Sequence, residues 1–193
     1  MSGTATLIQG RPIDAHILAL VREDRGAALD VLYRTYKDRI YTFLLRMSGS
    51  AELADDLTQD TFIKADRALV RLDLDRALLP WLYRIASNGA IDELRRRRRI
   101  SWLRWPSLLG THHEHAPDEH ARVPERQQIA LALRAVPPEN AAALLLHVVE
   151  GYSYREIADI QGVSLTAARS RIARGREAFR AAYKEPSPES RER

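Results

Sequence analysis

Apolar residues in this chain recur every three or four positions, and the strict alternation of half-buried strands is almost absent. Ala28, Val31, Leu32, Tyr36, Ile40, Phe43 and Leu44 mark one face of a long helix over residues 23–47. The sequence Ser48-Gly49-Ser50 stops it, because Gly and Ser favour turns over helix interiors. A second helix is predicted over 51–70, with Leu53, Leu57, Phe62 and Ile63 facing inward. A third runs from Leu79 to Ile100 through LPWLYRIASNGAIDELRRRRR, its apolar side formed by Trp81, Leu82, Ile85, Ile91 and Leu94.

The pattern breaks at residue 101. SWLRWPSLLGTHHEHAPDEHARVP, 101–124, holds Pro106, Pro117 and Pro124, and it reads as a flexible linker between two helical units. A helix is predicted over 125–135, followed by VPPEN, whose prolines suit a helix start. The helix over 139–150 is apolar nearly all round and therefore central, with Gly151 as its left-handed cap. Ser153-Tyr154-Arg155-Glu156 is a capping box opening a short helix over 154–160. Gln161-Gly162-Val163-Ser164 turns the chain, and Ser164 caps a last helix over 165–183. The fold class is thus all-α, two small helical domains on a flexible linker: an N-terminal segment 1–22, a domain 23–100, the linker 101–124, a domain 125–183 and a disordered tail 184–193.

Composition narrows the function classes. The 193 residues include 30 Lys plus Arg against 26 Asp plus Glu, a net charge of +4 that is too small to prove a polyanion partner, so placement must decide. The absence of cysteine excludes disulfides, thiolate zinc sites and thiol redox chemistry. No run reaches the roughly 20 apolar residues that span a bilayer. MSGTATLIQGRPIDAH lacks the basic start and apolar core of a secretion signal, so a cytoplasmic protein without membrane contact of its own is expected.

Placement of the charged residues is informative. The pair of short helices joined by a turn at Gly162, with small Ala158 allowing close approach, is the pattern of a DNA-reading helix-turn-helix. Its second helix carries Arg169, Ser170, Arg171, Arg174, Arg176 and Arg180 around the exposed side, with Ala168, Ile172 and Phe179 behind. Arginine near the start of such a helix offers the fork that guanine accepts, while Thr166 and Arg174 could equally hold phosphates. In the first unit ELADDLTQDTFIKA, 52–65, puts Asp55, Asp56, Gln59 and Asp60 on successive turns, and the same unit ends in Arg95 to Arg99. Opposite signs on different surfaces suit two macromolecular partners, one basic and one nucleic acid. The arginine run complements the helix dipole and can hold phosphates without choosing bases. Trp81 is either core or a stacking platform. Trp102 and Trp105 could anchor a partner or the chain's own first domain. His112, His113, Glu114, His115 and His120 offer metal donors without a fixed geometry, and no metal or other cofactor is expected.

ADDLTQDTFIKA, WLYRIASNGAIDELRRRRR, VPPENAAALLLHVVEGYSYREIADIQGVS and RSRIARGR resemble, in order and spacing, bacterial sigma factors of the extracytoplasmic-function class, over 29–179. The resemblance implies a first domain that binds the β′ clamp helices of core RNA polymerase through Asp55, Asp56, Leu57, Gln59 and Asp60, with further contact to the β subunit. It implies minus-ten promoter recognition and melting by Arg84, Asn88, Arg95, Arg96 and Arg97, with the segment 69–79 holding a flipped base. It implies minus-thirty-five duplex recognition by Thr166, Arg169, Ser170, Arg171 and Arg174, and control by an anti-sigma factor. Thr166, Ala167 and Ala168 depart from the family's usual small-Thr-Val order, so no particular promoter sequence carries over. The chain offers no catalytic carboxylate pair, nucleophile triad or phosphate-binding glycine loop, and is not expected to be an enzyme. The competing readings are a stand-alone helix-turn-helix regulator, which would need no acidic patch, and a metal sensor built on the histidine linker.

Overall fold

The computed structural model describes residues 11–69, 77–104 and 125–183. The expected tail, most of the linker with its histidines and Trp105, the side chain of Trp102 and residues 70–76 of the flipped-base segment lie outside the described residues. Eight helices follow in order: α1 (Arg11–Glu23), α2 (Arg25–Ser48), α3 (Ala51–Leu69), α4 (Leu78–Arg104), α5 (Glu125–Ala135), α6 (Pro138–Val148), α7 (Tyr154–Gln161) and α8 (Leu165–Ala182). Among the described residues there is no strand, as the periodicity predicts.

The long helix expected from residue 23 begins instead at Arg25. Asp24, extended at φ −146°, accepts a hydrogen bond from Ala27 N–H at 3.0 Å and caps it. The segment expected to precede it without an element carries α1, which buries Ile17 and Leu18 against α2. Gly49 ends α2 in the left-handed conformation at φ 66°. In α3, Leu53, Leu57 and Phe62 are buried as predicted, but Ile63 is 43% exposed and faces out. The inward positions of the helix are taken by Ala54, Thr58, Thr61 and Ala65 as well as by those three.

In the second unit α6 is buried from Asn140 through Leu146 and packs on α8. Its cap is Val149 rather than Gly151, which takes its left-handed φ of 78° two residues beyond the cap. The capping box at α7 is formed in both directions: Ser153 N–H donates to Glu156 Oε2 at 2.8 Å, and Glu156 N–H to Ser153 Oγ at 3.3 Å. Gly162, left-handed at φ 64°, makes the turn, and Ser164 Oγ accepts from Ala167 N–H to start α8. Gly175, in the middle of α8, lies against α6 so closely that an added Cβ would stand 2.9 Å from the carbonyl oxygen of Asn140.

The two helical units share one core. Phe43 of α2, Tyr83 of α4 and Tyr152, between α6 and α7, form an edge-to-face series with centroids 5.1 and 5.8 Å apart. Tyr83 is fully buried. Helix α4 packs on α6 and α7 as well as on α2 and α3.

Candidate macromolecular interfaces

The acidic residues of α3 border a groove rather than a flat face. Between α2 and α3 lies an open groove of about 770 Å³, lined by Tyr33, Lys37, Asp55, Asp56, Gln59 and Ile63 among others. Inward positions of α3 hold the helix in the core, so Asp55, Asp56, Gln59 and Asp60 all point to solvent. Leu57 is buried, so it supports the acidic turn from beneath and presents no side chain of its own. Tyr33 meets Phe62 edge-on at 4.9 Å, and Lys37 Nζ stands 5.4 Å from the Tyr33 ring. Tyr33 and Ile63 thus give the groove an apolar floor beside its carboxylates, a combination suited to a basic partner with an apolar anchor.

On α4, Arg84 and Asn88 are exposed on one side while Tyr83, Ala86 and Ser87 are buried on the other. Trp81 is half-buried and packs against the core; it also lines an open cleft with Arg84, Glu156 and Gly162. The arginine run is divided among several partners. Arg96 and Arg97 both donate to Glu93 at 2.7 Å. The hydrogen bond from Arg96 is the main reason that the Glu93 carboxyl is held down to about 2. Arg95 pairs with Glu139 of α6 at 3.1 Å, and Arg98 donates to the carbonyls of Arg134 and Val136 at 2.9 and 3.0 Å. Burial works to raise the Glu139 carboxyl, but its own backbone N–H and Arg95 prevail and hold it below the usual range.

On α8, Thr166, Arg169 and Arg174 are exposed, whereas Ser170 and Arg171 are half-buried. The expectation that these residues all spread over the open side is therefore corrected at Ser170 and Arg171, and the contacts of Arg171 show why. Its Nη1 donates to Gln161 Oε1 at 2.9 Å, and Gln161 Nε2 donates to the Glu139 carbonyl at 3.2 Å. Arg169 lies over the ring of Tyr154 at 5.9 Å, and Tyr154 stacks on His147 at 4.7 Å. Both arginines are held by the helix that precedes them.

Two groups have no counterpart in the sequence reading. Asp14, buried in α1, accepts from the Tyr36 hydroxyl and, at 3.1 Å, from Leu78 N–H, so it caps α4 from a remote helix. Glu150 accepts from the Tyr83 hydroxyl at 2.6 Å and from Arg39 at 3.3 Å, and it lies 3.8 Å from Arg46. Burial, then the bond to Glu150, push the Tyr83 phenol far above its ordinary value. Burial opposes the charge on Arg39, yet its neighbours Tyr83 and Glu150 raise it. Asp14 lies outside the four motifs, whereas Glu150 lies within VPPENAAALLLHVVEGYSYREIADIQGVS, where it was given no role of its own.

The family comparisons fall on the same two units. The model for Sigma-70 region 2 matches residues 32–100, and that for Sigma-70, region 4 matches residues 123–179. The chain is 34% identical over 159 residues to the RNA polymerase sigma factor CarQ of Myxococcus xanthus, covering 82% of this chain and 91% of CarQ. The chain belongs to the extracytoplasmic-function sigma factors of RNA polymerase. It is 36% identical over 165 residues to the ECF RNA polymerase sigma factor SigE of Mycolicibacterium smegmatis, with 78% of this chain covered but only 60% of SigE's length. In fold it resembles the sigma factor RpoE of Bartonella quintana, solved in complex with the anti-sigma factor NepR, at a TM-score of 0.60 and 23% identity over 78% of this chain and 92% of that one. The sigma factor is thus a transcription initiation factor, with α2–α4 in region 2 and α5–α8 in region 4. No described helix is long and apolar enough to cross a membrane.

Proposed function

We propose that this sigma factor binds core RNA polymerase through the acidic groove of α3 and reads promoter DNA with α4 and α8. The carrying observation is the groove itself, where Asp55, Asp56 and Gln59 stand beside exposed Tyr33 and Ile63. A stand-alone regulator has no use for such a surface. Asp55, Asp56, Gln59 and Asp60 receive the basic clamp helices of β′, and Leu57 fixes the helix that carries them. Arg84, Asn88 and Arg95 to Arg97 serve the minus-ten strand: Asn88 reads, and the arginines hold phosphates. Capturing an unstacked base offsets part of the cost of melting, which makes opening selective. Thr166, Arg169, Ser170, Arg171 and Arg174 serve the minus-thirty-five duplex, with Arg169 and Arg171 pre-oriented by Tyr154 and Gln161.

The chain acts without catalytic chemistry of its own, since RNA synthesis belongs to the polymerase, and it works in the cytoplasm. An anti-sigma protein is its expected antagonist, as NepR is for the Bartonella RpoE. The test is transcription with purified core polymerase: the chain should direct RNA synthesis from its promoters. Asp56→Lys should abolish core binding while duplex binding by the helix-turn-helix persists. Survival of core binding in Asp56→Lys would defeat the assignment of the groove.

A further inference from the structure

Helix α4, the proposed reader of the minus-ten strand, begins without a cap of its own. Ala77, the residue before it, has no side-chain acceptor, and the first turn, Leu78-Leu79-Pro80-Trp81, carries no acid. Leu78 is fully buried and Leu79 nearly so, and water cannot take the free N–H groups that a helix start leaves there. Asp14 supplies what the local sequence lacks. One of its carboxylate oxygens accepts the Leu78 N–H at 3.1 Å, and the other accepts the Tyr36 hydroxyl. Asp14 sits on α1, and the region 2 match begins only at residue 32, within α2, so that match gives neither α1 nor Asp14 a role.

We propose that Asp14 is a positioning residue for minus-ten recognition: its carboxylate, aimed by Tyr36, fixes where α4 starts and thereby where Arg84 and Asn88 stand. Both belong to the same continuous helix, roughly 9 and 15 Å from Leu78 at 1.5 Å per residue. A rigid helix carries any slip at its start to both. The core beneath them resists slip weakly, because between Tyr83 and Ile91 the buried side chains are Ala86, Ser87 and Ala90. Small side chains interlock less with neighbouring helices than large ones, so the register of this stretch depends on how its ends are held. Tyr36 is itself buried on α2, and with one oxygen on Tyr36 and the other on Leu78 the carboxylate keeps a single orientation. Its charge also complements the dipole at the start of α4. A base contact tolerates little displacement, since a hydrogen bond weakens steeply once stretched or bent. Long arginines on phosphates tolerate more, so losing the pin costs sequence preference before overall grip. This inference rests on the assignment of Asn88 to minus-ten reading.

The test uses the full chain bound to core polymerase and two probes: a DNA single strand that the parent complex selects from a randomised pool, and the unselected pool. The ratio of their affinities measures reading, and a smaller fraction of active protein leaves that ratio unchanged. Asp14→Ala should lower the ratio about tenfold, the scale of one lost base contact, while core binding is retained. Asp14→Asn keeps the shape and a carbonyl acceptor without the charge, and should stay within about threefold of the parent. Tyr36→Phe removes only the hydroxyl and should lower the ratio about threefold, with helical content by circular dichroism unchanged. In the free chain the Leu78 amide should exchange with deuterium about tenfold faster in Asp14→Ala than in the parent. Unchanged exchange at Leu78, or a parent-like ratio in Asp14→Ala, would overturn the proposal. Should Asp14→Ala fail to fold, a parent-like ratio in folded Tyr36→Phe overturns it instead. An Asp14→Asn ratio no better than that of Asp14→Ala would overturn the cap as the cause. Failure of the parent complex to select any strand would overturn the functional reading of α4 beneath it.

Discussion

Glu93 shows how a single acid changes the meaning of an arginine run. It takes hydrogen bonds from both Arg96 and Arg97 and is held down to about 2. A carboxyl depressed in the folded chain stabilises it above its ordinary value of 4.5, and that contribution is lost as pH falls from there toward 2. A carbon-detected NMR titration of Glu93 should place its midpoint near 2. The same pairing half-neutralises two phosphate grips. Glu93→Ala should therefore tighten DNA binding at low salt and steepen its salt dependence by about one unit of log–log slope. An unchanged slope would mean that Arg96 and Arg97 never meet phosphate.

At the scale of the elements, α8 depends on a residue that helix propensity counts against. Gly175 within a helix ordinarily costs about 1 kcal/mol relative to Ala. Here the missing Cβ lets α8 approach α6, because a methyl would stand 2.9 Å from the Asn140 carbonyl oxygen and 3.3 Å from Leu144 Cβ. Gly175→Ala should accordingly destabilise region 4 by about 1–3 kcal/mol, the usual cost of overpacking, despite its better propensity. Urea unfolding checks the sign: a stabilised variant would mean that the helices move apart freely. Local signals of this kind divide into legible and illegible ones. Caps, turns and inward stripes lie within one or two turns of sequence, and Ser153, Glu156, Gly162 and Ser164 all act as they read. Gly175 gives no local signal of its role, since what it touches is a backbone carbonyl 35 positions away in sequence. The start of the bundle was missed for a related reason. Helix α1 is fixed by Asp14, whose partners Tyr36 and Leu78 belong to α2 and α4.

For the whole molecule, the sequence reads as two reading heads and a connector, while the structure folds the heads into a single core. Nothing local announces the closure, because its polar links join residues far apart: Arg39 with Glu150, Tyr83 with Glu150, Arg95 with Glu139. Glu139 gives that closure a dependence on acidity. Its carboxyl is held below the usual range by its own N–H and by Arg95, against the effect of burial, and Arg171 adds positive charge from α8. A depressed carboxyl contributes its stabilisation above 4.5 and loses it as the pH falls below that value. Acidification below 4.5 should therefore weaken the Arg95 pair and lengthen the distance between spin labels on α3 and α5, with helical content retained. Glu139→Gln removes the titrating group while keeping its shape. It should start from a looser distribution at neutral pH and respond less to acid than the parent chain. An equal acid response in both chains would place the sensitivity in other carboxylates and leave Glu139 with no part in holding the two heads together.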